Sequence, residues 1–162
     1  MKKSFLIIVA IVLCFSCDDK DKIINPVLLA DEETIVAFFE KHLPTPSLST
    51  SECFFVGDEN DGCIMINSMD ELIKNMVCSS IVPPEIDFNL YTLIVGQHQM
   101  PNSYYYIVEQ NIVESGRSRL ILNLRVKLPD DGHWPAFSKL YYWGIYPKLE
   151  NKTINVNLIK ER

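Results

Sequence analysis

The chain has 162 residues, 48% hydrophobic and 22% charged, with 15 Lys and Arg against 21 Asp and Glu for a net charge of −6. These are the proportions of one globular domain rather than of a disordered or fibrous chain. The acidic balance repels phosphate backbones and argues against nucleic acid as a partner.

The first segment stands apart. Met1-Lys2-Lys3 makes a positive start, residues 5–15 an apolar run, and Ser16-Cys17 a small-residue junction. The run has the length of an export-signal core and is short for a bilayer span. LCFSC followed by DDKDK resembles a bacterial lipoprotein signal. The resemblance implies that Cys17 is lipidated and becomes the mature N-terminus. Cys14 stands where such signals usually carry leucine, and Leu13 lies one place too early. The acid-rich Asp18-Asp19-Lys20-Asp21 is similar to the tag that sends Bacteroides-type lipoproteins to the outer leaflet of the outer membrane. The implied address is the outer membrane, surface-exposed, with the periplasmic face as the alternative. More than one acyl chain holds a protein stably to a membrane. The expected division is a signal over 1–16, a lipidated flexible tether over 17–25 and a single α+β domain over 26–162.

Cys53, Cys63 and Cys78 then remain, an odd number that allows one disulfide and one free thiol. An exported location permits the bond. Cys53 and Cys63 flank a turn and form the pair to test first, although connectivity stays open. No spacing resembles a zinc site.

In chain order, residues 26–44 predict a helix. Ile35, Phe38, Phe39 and Leu43 recur at helical spacing, Glu32 and Glu33 suit its positive end, and Lys41-His42 its negative end. Pro44-Thr45-Pro46 stops it. Two short apolar strands, 52–56 and 63–67, surround GDENDG and predict a hairpin. Ser68-Met69-Asp70-Glu71 is a capping box, and Leu72, Ile73 and Met76 give a short helix buried on one face. From residue 86 the signals are β, with strands expected over 90–97, 104–113, 120–128, 139–146 and 153–159. Leu120, Leu122, Leu124, Val126 and Leu128 alternate with mostly polar neighbours, the mark of a sheet wet on one side. Short turn-forming connections predict antiparallel neighbours. The fold class is α+β: an antiparallel meander of about five to seven strands, a sandwich or partly closed barrel, with one or two short helices.

Chemistry is sparse. Asp58-Glu59-Asn60-Asp61-Gly62 has the residue types of a calcium loop, but its glycine comes one place early and Met69 stands where a bidentate glutamate belongs. It is expected to be a solvated turn, so no metal or other cofactor is expected. No local motif links His42, His98 or His133 to a cysteine, and nucleophile elbows and phosphate loops are absent. No catalytic residues are expected. The aromatic residues are more informative. In Tyr104-Tyr105-Tyr106 and Tyr141-Tyr142-Trp143, adjacent strand residues face opposite ways, so each run should send at least one tyrosine outward. Trp134 lies in a long polar connection. Trp134, Tyr141 and Trp143 are the candidate partner-binding residues, because aromatics with polar tips favour recognition surfaces.

The segments INSMDELIK, IDFNLYTLIVGQ and PAFSKLYYWGIYPK resemble those of small Bacteroides-type surface lipoproteins of unassigned function. More loosely, residues 63–159 are similar in element order to the C-terminal domain of the B-type protease-complex subunits, an extracytoplasmic β domain. The expectation is a membrane-anchored domain without catalytic activity that recognises a protein or glycan partner. The alternative is an inhibitor or accessory component of an envelope protease.

Overall fold

The computed structural model describes residues 21–27, 33–43, 53–55, 62–101, 105–116, 118–128, 138–150 and 152–161. These form nine strands and two helices. In chain order they are β1 (Lys22–Ile24), α1 (Glu33–His42), β2 (Cys53–Phe55), β3 (Gly62–Ile66), α2 (Met69–Asn75), β4 (Met76–Cys78), β5 (Tyr91–Met100), β6 (Tyr106–Ser115), β7 (Arg119–Lys127), β8 (Ser138–Pro147) and β9 (Thr153–Glu161). The fold is α+β and sandwich-like. A four-stranded sheet ordered β1-β6-β7-β9 faces a three-stranded sheet ordered β3-β5-β8, and β2 pairs with β4 in a separate ribbon.

Three layers follow from where the apolar side chains go. Between the sheets, Ile94 of β5 and Tyr142 and Tyr146 of β8 meet Ile112 of β6 and Leu120, Leu122 and Leu124 of β7. On the far side of the three-stranded sheet, Leu93, Val95 and Ile145 pack under Ile35 and Phe39 of α1, Leu72 of α2 and Cys53 of β2. The middle sheet is therefore covered on both faces, which explains the unbroken apolar run Leu93-Ile94-Val95, all fully buried. Among the described residues the four-stranded sheet is covered on one face only, and β7 alternates as that requires: Leu120, Leu122, Leu124 and Val126 are buried, Arg119 and Arg125 exposed. A third cluster, Met100, Tyr105, Val126 and Leu140, closes one end.

The connectivity departs from a consecutive meander. Only β6 and β7 form a hairpin between chain neighbours in the two main sheets, turning at Gly116 with φ +68°. β8 crosses to the other sheet and pairs antiparallel with β5. The chain then returns to lay β9 parallel to β7. Crossing the sandwich twice restores the original direction, so short connections did not mean adjacent strands.

Other expectations are also corrected. β2 pairs with β4, not with β3, which joins β5 instead. Cys53 thus stands opposite Cys78, and the disulfide joins these two while Cys63 is free. Residues 22–24, expected in the tether, pair with β6, because half-buried Ile24 packs beside the inter-sheet core. Pro26 and Val27 are not helical. The Val27 N–H donates to the Ile145 carbonyl (2.7 Å), carrying the chain from one sheet to the edge of the other.

The expected capping box is present. Ser68 caps α2, its Oγ accepting from the Glu71 N–H (3.1 Å), while the Glu71 carboxylate accepts from the Asn67 N–H (2.7 Å). In IDF, Ile86 and Phe88 are buried anchors. Between them the Asp87 carbonyl accepts from Leu90 and Tyr91, and its carboxylate from Asn89, turning the chain into β5.

Candidate functional site

The uncovered face of the four-stranded sheet is the first candidate. Pairing registers place Asn111, Asn123 and Asn157 in one row across β6, β7 and β9. Their amides form a chain. Asn157 Nδ2 donates to Asn123 Oδ1 (2.8 Å), Asn123 Nδ2 to Asn111 Oδ1 (3.1 Å), and Asn111 Nδ2 to Glu109 Oε1 (3.0 Å). In the next row, Arg125 pairs with Glu109 (2.9 Å) and with Glu161 (3.4 Å). A hollow of about 120 Å³ lies among Glu109, Asn111, Asn123, Arg125 and Ile159. Around this network stand apolar side chains of the same face: Ile23, 63% exposed, Ile159, 38%, and Tyr106, 45%. Arg125 is thus paired with two carboxylates, while Arg119 and Lys127 stand on the same face of β7, so the face offers amides, apolar surface and positive charge.

The second candidate is a pocket of about 310 Å³ lined by Gly62, Cys63, Gln97, His98, Tyr142 and residues 154–156 of β9. It brings together a cysteine and a histidine that no sequence motif linked. The signal was the register: Cys63 stands opposite Gly96, and His98 is two residues along the same face of β5. Burial pushes the Cys63 thiol up to about 11, against a smaller opposing effect from its hydrogen bond with Tyr142. At neutral pH it is a protonated thiol, a poor nucleophile.

The third is an open groove of about 780 Å³ bounded by residues 67–69, residues 85–89 and Lys148. Lys148 donates to the carbonyls of Phe88 (2.6 Å) and Asn67 (3.4 Å) and lies 3.6 Å from Glu150. Its ammonium holds the IDF turn against the start of α2. The groove is framed by a fastening.

The aromatic candidates lie elsewhere. Tyr141 and Trp143 share the helix-covered side of β8, with Val95 opposite Trp143. The Trp143 ring meets Phe39 at 5.0 Å between centroids and is partly buried. Burial raises the Tyr141 phenol above its ordinary value. Tyr142 and Tyr146 point the other way, between the sheets. In the first tyrosine run Tyr105 is buried and Tyr106 exposed. Cys17, Trp134, His133 and residues 58–61 lie outside the described residues.

Among the described residues, no group of three or more His, Cys, Asp or Glu side chains could hold a metal ion. Nor is any of their helices long and apolar enough to cross a membrane. No protein-family model, curated protein or solved structure matches the chain.

Proposed function

We propose that this chain is a small surface lipoprotein of the Bacteroides type. Cys17 carries the lipid that anchors it in the outer membrane, and the domain binds a protein or glycan partner without performing a reaction. One observation carries the binding part of the reading. Among the described residues, the three-stranded sheet is buried on both faces, whereas the four-stranded sheet has one face without a covering element. On that face exposed Ile23, Ile159 and Tyr106 surround a hydrogen-bonded amide row beside the Arg125–Glu109 pair. A polar face with apolar side chains at its margin has the composition of a recognition surface.

The anchor and the export tag rest on the sequence of residues 1–21. They are tested by labelling with radioactive palmitate, which Cys17→Ala must abolish. The binding reading is tested by capture from detergent-solubilised envelope. Ile121→Glu places a charge in the middle of the open face, and capture is expected to fall at least tenfold with melting temperature little changed. Undiminished capture by a folded Ile121→Glu protein would remove the assignment.

A further inference from the structure

We infer that the exposed edge of β9 is a self-association surface, along which two copies of this chain pair antiparallel to form one continuous sheet. The backbone geometry comes first. The Thr153 N–H donates to the Ser118 carbonyl (3.0 Å), and Thr153 stands opposite Arg119. In a strand, alternate residues turn their N–H and C=O groups to the same side. Thr153, Asn155, Asn157, Ile159 and Glu161 therefore face β7, and Ile154, Val156, Leu158 and Lys160 direct theirs to the open edge. β9 is terminal in its sheet, so no strand among the described residues pairs there.

The other long edge is treated differently. On β8, the Ile145 carbonyl accepts from the Val27 N–H (2.7 Å), and the Trp143 carbonyl from Gln110 Nε2 (3.1 Å). That edge is blocked by the fold itself, one of the ways proteins protect sheet edges. Along β9 there is no proline and no bulge, and the one inward-facing charge, Lys160, lies near the end. Its inward side chains also lack cover. Ile154, Val156 and Leu158 are only partly buried, whereas Leu120, Leu122 and Leu124, opposite them on β7, are fully buried.

A second copy fits this edge in one register. With the two-fold axis at Asn157, Val156 meets Leu158 of the second copy, and Ile154 meets Lys160. Every residue that directs its backbone outward then meets another that does so, and the N–H and C=O groups that no strand among the described residues engages pair with one another. Asn157 meets its own counterpart at a pair without backbone hydrogen bonds, where Cα atoms are about 4.5 Å apart and side chains are closest. Asn157 is also where the amide chain ends. Its Nδ2 is used toward Asn123, and a carboxamide keeps a second N–H and a carbonyl oxygen. Across the axis these continue the row into the second copy. Leu158 and Lys160 of that copy would lie beside Ile154 and Val156, over the mouth of the Cys63 pocket.

The test uses full-length protein in detergent. Asn157→Cys under mild oxidation is expected to give a reducible dimer. Asn111→Cys, on the same face but two strands from the edge, and the unmodified chain should not. Val156→Pro removes an N–H that points away from β7, so the fold keeps its ladder while the second copy loses a bond. In light scattering it is expected to have half the mass of the unmodified protein. If Val156→Pro does not fold, the Asn157→Cys comparison decides alone. A monomer at every concentration tested, or an Asn157→Cys dimer yield no greater than that of Asn111→Cys, would overturn the inference.

Discussion

The phenol of Tyr142 lies across Gly96 on the neighbouring strand and donates a hydrogen bond to the Gly62 carbonyl one strand further on (3.1 Å). One side chain thus spans the three-stranded sheet beneath the second sheet. It can do so because Gly96 has no Cβ: an added methyl would collide with the phenol and with the Gly62 carbonyl. Gly96→Ala is expected to cost about 1–3 kcal/mol, the range of overpacking in a tight core. Tyr142→Phe, which removes only the hydroxyl, should cost about 1 kcal/mol. Urea denaturation of both variants checks the order.

Thr92 is fully buried and joins two segments far apart in sequence. Its Oγ1 accepts from the Leu149 N–H (2.8 Å) and donates to Asn67 Oδ1 (2.6 Å). Thr92→Val keeps the shape but leaves the buried Leu149 N–H without its acceptor, so a loss of about 1–3 kcal/mol is expected. Thr92→Ser retains the hydroxyl and should recover most of it. An equal loss in both variants would locate the effect in packing.

The parts of this architecture that sequence periodicity revealed are those decided locally. β7 alternates because one side of its sheet is wet, and Ser68 and Glu71 cap α2 through bonds within four residues. Pairing between distant strands leaves no such trace. GDENDG has turn chemistry, yet Cys53 pairs with Cys78 and Cys63 with Gly96, because the core under α1 and the disulfide decide those partners. The Cys63–His98 pocket and the amide row depend on register for the same reason. Tyr141-Tyr142-Trp143 shows the limit from the other side: alternation separates Tyr142 from its neighbours, but which face a helix covers is a tertiary fact.

The Cys53–Cys78 bond closes a loop across a sequence separation of 25. Constraint of the unfolded chain by a loop of that size is worth about 3–4 kcal/mol. Reductant should lower the urea midpoint correspondingly, with no effect on a Cys53→Ala/Cys78→Ala protein. Peptide mapping of unreduced, denatured protein should find Cys63 alkylated and the other two joined.

The raised pKa of Cys63 makes stability depend on alkaline pH. In the unfolded chain the thiol ionises near its ordinary value of 9.0, and in the folded protein at about 11. Below pH 9 both states hold the proton and the contribution is constant. Between about 9 and about 11 the unfolded state releases it first, so stability falls as pH rises. Burial also pushes up the Tyr146 phenol, extending the fall above the ordinary tyrosine value. Cys63→Ala should flatten the lower part of this slope and lessen the upper part slightly, because the Cys63 charge also raises the Tyr146 phenol, which burial raises most. Alkylation of Cys63 in the folded protein should be slow at pH 8.

Lys152 acts at the acid end. Its ammonium hydrogen-bonds Glu114, whose carboxyl it holds below the usual value. This stabilisation is present above the ordinary glutamate range and is lost as pH falls through the lowered pKa. Lys152→Ala should raise the Glu114 midpoint in a carbon-detected pH titration, and an unchanged midpoint would contradict the pairing.

The open sheet face as the binding surface is tested most directly by site-specific photo-crosslinking in living cells, with the probe at Ile121 or at Lys74. Ile121 sits in the middle of the uncovered face, and Lys74 on exposed α2 across the domain. A discrete adduct is expected from position 121, abolished when the neighbouring Val113 is changed to Glu, and none from position 74. Adducts from position 74 alone, or none from position 121 in a folded and correctly localised protein, would contradict it.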